Sequence, residues 1–104
     1  MAILEESSGL SYDDGLAYVC HPEFLREGTA IEDFEEPPKI VFGVRGDTAR
    51  KYCEALYPGI EAPTFYVDVS VAAMVKYADN CFHAVKVTFG NEMGLICRLS
   101  LIHI

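Results

Sequence analysis

The stretch VSVAAMVKYADNCFHAVKVTFGNEMGLIC, residues 69–97, decides the architecture of this chain. Asp68 stands directly before it as a natural helix N-cap, and its only strong helix breakers are Gly90 and Gly94. We predict one continuous helix of about 43 Å, at about 1.5 Å per residue. A compact chain of 104 residues has a radius of gyration of about 13 Å, so this helix is expected to project from the remainder.

The predicted helix carries apolar residues on most of its faces. They are Val71, Met74, Val75, Phe82, Val85, Phe89, Leu95 and Ile96. A helix that is hydrophobic nearly all round is normally buried. We therefore expect its cover to come from outside this sequence, and the chain to be a fragment of a longer protein.

The last six residues, LSLIHI at 99–104, break the helical pattern. Their codons can match a transposon-end adaptor, so we expect a non-native tail and assign His103 no role. The alternative is an ordinary apolar strand.

Most residues of this helix are apolar, so its few polar residues can indicate a function. Lys76, Asn80, His83 and Asn91 fall at offsets 0, 4, 7 and 15, which places them on one arc of roughly 80°. A solvent-facing stripe is one interpretation, and the neighbouring Asp79 and Lys86 are interpreted as such surface charges. Two amides and an imidazole also suit hydrogen bonding to a polyhydroxy or phosphate ligand, so both interpretations remain open.

Upstream of the helix, strand-like and helical runs alternate, which favours an α/β fold with a parallel sheet. The predicted strands are 16–20, 39–44 and 62–68. A helix is predicted to begin at an Asp47 N-cap and to end at Pro58–Gly59, and residues 22–34 are predicted to form a turn with one or two short helical pieces that begin at Pro22. This pattern divides the chain at 1–68, 69–98 and 99–104.

The composition excludes several kinds of partner. The net charge of -8 argues against nucleic acid and against anionic membranes. The sequence has neither an apolar run of membrane-spanning length nor a secretory signal at residue 1. The four cysteines have neither CxxC nor regular spacing, so we predict reduced thiols, no metal site and a cytoplasmic protein.

The stretch HPEFLREGTA, residues 21–30, places Glu23 and Glu27 four residues apart beside Phe24 and Leu25. If the segment is a first helical turn, both acids lie on one face, where the helix dipole alone would explain them. A carboxylate that follows a strand and lies beside apolar residues can also gain proton affinity through desolvation, as acid–base catalysis requires. The residues alone favour neither explanation.

Two long motifs carry a family resemblance. HPEFLREGTAIEDFEEPPKIVFG at 21–43 and VAAMVKYADNCFHAVKVTFGNEMGLIC at 71–97 resemble the nucleotide-sugar 6-dehydrogenases, the family of UDP-glucose and GDP-mannose dehydrogenases. The resemblance extends from about residue 3 to residue 98. Within the family, DFEEPP and FHAVKVTFGNE resemble the GDP-mannose branch more closely.

The resemblance implies the C-terminal part of a Rossmann-like NAD-binding domain, residues 1–68, followed by the central helix that forms a homodimer or a larger homo-oligomer. It implies an oxidation of the sugar 6-hydroxyl, through an aldehyde, a thiohemiacetal and a thioester, to a carboxylate with two NAD. GDP-mannose would give GDP-mannuronate. The alternatives are a UDP-glucose 6-dehydrogenase and a non-catalytic helical interaction module.

The resemblance also implies roles for individual residues. Glu23 matches the residue for acid–base work and water activation, Lys76 the lysine that stabilises the developing oxyanion, and Asn80 the partner of that lysine. Glu27 matches a residue at the sugar and the nicotinamide. The implied substrate contacts are Phe24, Leu25, Arg26, Glu27, Lys76, Asn80, His83 and Asn91, of which the last two match GDP-mannose contacts.

The sequence departs from the family pattern in three places. His21 stands where the first motif usually has Asn, which leaves the local hydrogen bonding undetermined. The sequence contains no G-x-G-x-x-G motif. None of its four cysteines matches the family's nucleophile. We therefore expect no catalysis from this chain alone.

Overall fold

The structure is a computed structural model that describes residues 2–12 and 14–102. Its helices and strands alternate as an α/β fold, as predicted. In chain order they are α1 Ala2–Ser8, β1 Ser11–Tyr12, β2 Gly15–Leu16, β3 Val19–Cys20, α2 Ala30–Glu35, β4 Ile40–Val44, α3 Gly46–Glu54, β5 Thr64–Val67 and α4 Val69–Ser100.

The main sheet has the strand order β3-β4-β5. Strands β4 and β5 are parallel, with Ile40 opposite Thr64 and Gly43 opposite Val67. Strand β3 is antiparallel to β4, with Cys20 opposite Gly43, so the prediction of a wholly parallel sheet is wrong at this strand. A parallel return would need a crossover element as long as the sheet, and the six residues of α2 span only about 9 Å.

Several helices and strands begin or end at other residues than predicted. The predicted strand 16–20 is divided between β2 and β3, and residues 21–26 have no regular structure before a turn at 27–29. Glu23 and Glu27 therefore do not share a helical face. Helix α3 has Arg45 as its N-cap residue, and Asp47 lies in the first turn, where its charge still favours the helix dipole. Its last residue, Glu54, precedes the predicted end at Pro58–Gly59.

Helix α4 begins as predicted, because the Asp68 carboxylate accepts a hydrogen bond of 2.8 Å from the backbone N–H of Ser70. It continues through both glycines to Ser100, slightly beyond the predicted 69–98. Within this described helix Ala72 alone is buried. The chain measures 66 × 33 × 20 Å with a radius of gyration of 19.8 Å, so α4 projects from the sheet.

Among the described residues, no helix combines the length and the hydropathy that a membrane crossing requires.

The core lies between the sheet and the helices α3 and α4. Ile40, Phe42 and Cys53 form its centre, and the Phe42 ring stacks on Tyr66 with 5.7 Å between ring centroids. On the other side of β4, a Cβ at Gly43 would lie 2.6 Å from the Cβ of Ala72 and 2.8 Å from the Cα of Val69. Helix and strand thus approach so closely that a side chain at residue 43 has no room.

We predict that Gly43→Ala destabilises the chain by about 1–3 kcal/mol, the usual cost of overpacking a core. Gly90→Ala is the matched control, because a Cβ there meets nothing within 4 Å and alanine is the better helix former by about 1 kcal/mol. Urea unfolding of the 104-residue chain measures both. Equal stability of the two variants would contradict the close packing.

Candidate active site

An ion pair joins helix α4 to the loop that follows β3. The ammonium nitrogen of Lys76 lies 2.6 Å from Oε1 of Glu23 and donates a second hydrogen bond of 2.7 Å to the Glu23 backbone carbonyl. The lysine side chain is 29% exposed and the glutamate 57%. Two hydrogen bonds therefore hold together two residues that are distant in the sequence.

The environment of Glu23 stabilises its charge. The hydrogen bond from Lys76 lowers the pKa of this carboxyl below its ordinary value, and the Leu25 backbone N–H, which donates to Oε2 at 2.8 Å, lowers it further. Desolvation opposes them but is weaker. Of the two explanations that the sequence left open, a proton affinity raised by apolar neighbours does not hold for Glu23, because the side chain lies in solvent beside a cation. Glu23 is a carboxylate that can accept a proton.

An open cleft of about 1010 Å³ lies beside this pair, between loop 24–27 and α4. The predicted site residues that line it are Phe24, Leu25, Arg26, Glu27, Lys76, Asn80 and His83. Glu23 lines an adjoining cavity of about 200 Å³ that shares Phe24 and Leu25 with the cleft. Asn91 is not brought to either cavity, because it lies eight residues beyond His83, about 12 Å further along the helix axis.

The cleft lies at the amino-terminal ends of β4 and β5. Because β3 runs antiparallel, the chain that leaves Cys20 travels toward Ile40, and helix α4 returns from the end of β5 in the same direction. Lys39, the residue before β4, consequently lines the cleft. The usual ligand position of open parallel sheets, at the carboxyl ends, is not the position of this cleft.

Comparison with known proteins identifies the family. The family models described as "UDP-glucose/GDP-mannose dehydrogenase family, NAD binding domain" and "central domain" match residues 1–61 and 70–103. The chain belongs to the UDP-glucose/GDP-mannose dehydrogenase family.

Curated relatives with two different substrates are equally similar to the chain. It is 42% identical over 96 residues to the GDP-mannose 6-dehydrogenase of Pseudomonas putida, covering 92% of this chain and 22% of the relative. It is also 42% identical over 101 residues to a UDP-glucose 6-dehydrogenase of Haloferax volcanii, covering 92% of this chain and 24% of that protein. The chain thus spans about a fifth to a quarter of the length of these relatives.

Solved structures of the family share the fold. A ternary complex of GDP-mannose dehydrogenase from Pseudomonas aeruginosa superposes with a TM-score of 0.81 at 40% identity, over 88% of this chain and 21% of that one. The UDP-glucose dehydrogenase of Pyrobaculum islandicum gives 0.79 at 38% identity, over 92% and 21%. The Rossmann-like interpretation of the sequence is thereby confirmed.

The structure adds four charged residues to the lining of the cleft, Asp33, Glu36, Lys39 and Asp79. Lys39 and Asp79 form an ion pair of 3.1 Å, and the Lys39 ammonium also lies 4.1 Å from the centroid of the Phe24 ring. Asp79 is a surface charge, as interpreted from the sequence, since its side chain is 45% exposed, and it also joins α4 to Lys39. Its position three residues after Lys76 could have indicated this, since the two share a helix face.

Asp33 is the buried one of these four additions, and no sequence signal pointed to it. Its side chain is 8% exposed and holds the Arg26 guanidinium in a fork, with Oδ1 2.6 Å from one terminal nitrogen and Oδ2 3.1 Å from Nε. The Arg26 backbone N–H and the Thr29 hydroxyl also donate to Oδ2. The guanidinium first and the backbone N–H second lower the pKa of Asp33 from 3.8 to about 2.

The geometry at His21 answers the question that its departure from the family pattern raised. Its Nδ1 donates a hydrogen bond of 2.8 Å to the Val41 carbonyl, and its Nε2 forms a hydrogen bond of 2.5 Å with the Tyr57 hydroxyl. The ring also packs on Phe42, with 4.5 Å between centroids. His21 thus anchors the start of the cleft loop to the sheet.

The amino-terminal end of α3 does not fit the diphosphate of NAD. Helix α3 follows Arg45 and begins at Gly46, which has a φ of 71°. Asp47 in its first turn and Asp68, 3.6 Å from Arg45, place carboxylates near this end of the helix, where their charge would repel a phosphate. A family cofactor would meet this chain at the cleft, where Glu27 is exposed. Among residues 2–12 and 14–102, no three His, Cys, Asp or Glu side chains are grouped to hold a metal ion.

We predict that Asp33→Asn lowers the urea midpoint of the chain at pH 7 and that the difference disappears near pH 2. Because the folded-state pKa lies below 3.8, the carboxylate stabilises the fold above that value, and the contribution is lost as pH falls toward 2. Glu35→Gln, an exposed neighbour in α2, is the control. A constant difference from pH 7 to pH 2 would contradict the role of the charge.

Proposed function

We propose that this chain forms the sugar-facing side of the active site of an NAD-dependent nucleotide-sugar 6-dehydrogenase. The observation that carries the proposal is the Lys76–Glu23 pair of 2.6 Å at the margin of the cleft. Oxidation of an alcohol requires groups that take up the hydroxyl proton and stabilise the charge on the oxygen. A cation held by a carboxylate can do both, with Asn80 one helical turn away and Glu27 on the facing loop.

The chemistry of these residues follows from their charges. The 6-hydroxyl of the sugar loses a proton when it is oxidised, and the Lys76 ammonium stabilises the negative charge that develops on that oxygen. Glu23, kept ionised by Lys76 and by the Leu25 N–H, takes up the proton directly or through the lysine. The Asn80 amide orients the lysine, and the backbone of 24–26 lies against the sugar. The hydride acceptor binds through residues outside this set.

GDP-mannose is the substrate that we propose, with GDP-mannuronate as the product. His83 supports this choice, because it matches a GDP-mannose contact of the family and lines the cleft. Asn91 lies outside the cleft, so the specificity of this chain rests on His83. UDP-glucose is the alternative substrate, because the chain is 42% identical both to a GDP-mannose and to a UDP-glucose 6-dehydrogenase.

The proposal extends to the assembly and its location. We propose that a second copy covers the outer part of α4, where large apolar side chains such as Phe82, Val85 and Phe89 are about two-thirds exposed. We place the protein in the cytoplasm, which agrees with the free thiols of Cys20, Cys53 and Cys81. The competing function is a helical interaction module, which the same exposed face would serve.

The test is a chimera in which residues 3–98 replace the matching segment of the Pseudomonas putida GDP-mannose 6-dehydrogenase. We predict that the chimera reduces NAD with GDP-mannose. Lys76→Ala should lower its kcat by about 10²–10⁴-fold, the contribution of a positioned proton-transfer group, with little change in the Kd of GDP-mannose. Lys51→Ala, on the exposed side of α3, is the control.

A chimera that folds and binds GDP-mannose but turns over at the same rate with and without Lys76 would reject the catalytic assignment. A folded, dimeric and inactive chimera in which restoring the parent's own residues at positions 21–27 and 76–83 recovers activity would favour the interaction-module function.

A separate prediction concerns the substrate. His83→Leu in the chimera should reduce kcat/KM for GDP-mannose about tenfold, the effect of one lost hydrogen bond of about 1.4 kcal/mol, and should leave the rate with UDP-glucose unchanged. Steady-state kinetics with both nucleotide sugars measures this. An equal loss for both substrates would show that His83 does not discriminate between them.

A further inference from the structure

Helix α2 is anchored by a charge. Asp33 is the one buried residue of this helix, all of which lies in the described part of the chain. The large apolar side chains of α2 are poorly covered, since Ile31 is 78% exposed and Phe34 49%. Packing is limited to contacts such as that of the Phe34 ring with Tyr57, 5.7 Å between centroids, and the hydrogen bonds of Asp33 to Arg26 and Thr29 hold α2 to the loop before it.

Arg26, the cation that Asp33 holds, is close in the sequence to two other carboxylates. Arg26 stands three residues after Glu23 and directly before Glu27, and its side chain is 74% exposed at the cleft. A guanidinium forms a planar fork with two oxygens and matches a carboxylate better than an ammonium does. Released from Asp33, it would compete with Lys76 for Glu23.

We propose that Asp33 is a positioning residue that keeps the Arg26 guanidinium away from Glu23, so that Lys76 remains the partner of Glu23. The two acids and the two cations are thereby sorted into two separate pairs, Arg26 with Asp33 at 2.6 Å and Lys76 with Glu23 at 2.6 Å. The effect on turnover rests on the proposed function, whereas the sorting of charges is a property of this chain alone.

The full set of hydrogen bonds to the Asp33 carboxylate supports this role. Its two oxygens accept from the guanidinium, from a backbone N–H and from a hydroxyl, and no buried side-chain nitrogen or oxygen among the described residues lacks a partner. An asparagine at this position would keep the backbone hydrogen bond but lose the charge that retains the guanidinium. The substitution therefore frees Arg26 with little change in shape.

The experiment measures the accessibility of Lys76 in the 104-residue chain. Reductive methylation at limiting formaldehyde, read by peptide mass spectrometry, gives the reactivity of Lys76 relative to Lys51, an exposed lysine on α3. We expect Asp33→Asn to raise this ratio about two- to fivefold, the scale of one lost exposed ion pair. The double variant Asp33→Asn/Arg26→Gln should return it to the native value, because the competing cation is gone.

Two results would overturn the proposal. One is an unchanged ratio in Asp33→Asn. The other is an equal rise in the single and the double variant, because a loosened loop would expose Lys76 whether or not residue 26 is charged. Glu35→Gln, which changes an exposed charge on the same helix, should leave the ratio unchanged.

If Asp33→Asn loses the helical circular dichroism of the native chain, two substitutions at residue 26 decide the matter. Arg26→Lys cannot form the bidentate fork and leaves a mobile cation near Glu23, whereas Arg26→Gln leaves none. Both keep Asp33 and its backbone hydrogen bond. We expect a higher Lys76 ratio in Arg26→Lys than in Arg26→Gln, and equal ratios would reject the proposal.

The same variants in the chimera separate this inference from the proposed function. Asp33→Asn should lower kcat, and Arg26→Gln added to it should recover part of the loss. A chimera that never turns over GDP-mannose would count against the proposed function and would leave the methylation result as the test of Asp33. An active chimera in which the second substitution recovers nothing would reject the inference alone.

Discussion

The close approach of helix α4 to strand β4 is the constraint on which the cleft depends. It is possible because Gly43 has no side chain and faces Ala72, so that the strand and the first turns of the helix meet without a gap. This contact fixes where α4 lies along the sheet. Lys76 stands four residues after Ala72 and Asp79 three residues later, and from this register they reach Glu23 and Lys39.

Electrostatic pairing then organises what packing leaves open. The loop after β3 has no regular structure from residue 21 to residue 26, and its hydrogen bonds are made to side chains of other elements. His21 is tied to β4 and to Tyr57, Glu23 to α4, and Arg26 to α2. Three anchors give this segment one shape. A loop held in this way can present both backbone and charge to a ligand.

The projecting part of α4 has a different status. Beyond His83 the helix keeps large apolar side chains exposed within the described chain, and Phe89, Leu95 and Ile96 are more than half exposed. Exposed apolar area of this extent is unfavourable in water. The family relatives are about four to five times longer than this chain, and a helix of this character is suited to a partner surface, which we propose to be a second copy.

The sequence by itself determined the long helix, its Asp68 cap, the strand 40–44 and the stripe that contains Lys76, Asn80 and His83, because periodicity, capping and strand-forming residues are local signals. The other predicted members of the cleft, such as Phe24 and Arg26, came from the family resemblance of the two motifs. Only the tertiary structure decided the direction of β3, the low pKa of Glu23, the pairing of Lys39 with Asp79 and the burial of Asp33. Each of these depends on residues that are distant in the sequence or on solvent exposure. A two-residue strand carries no directional signal, and the charge state of a carboxyl follows the neighbours that the fold brings to it.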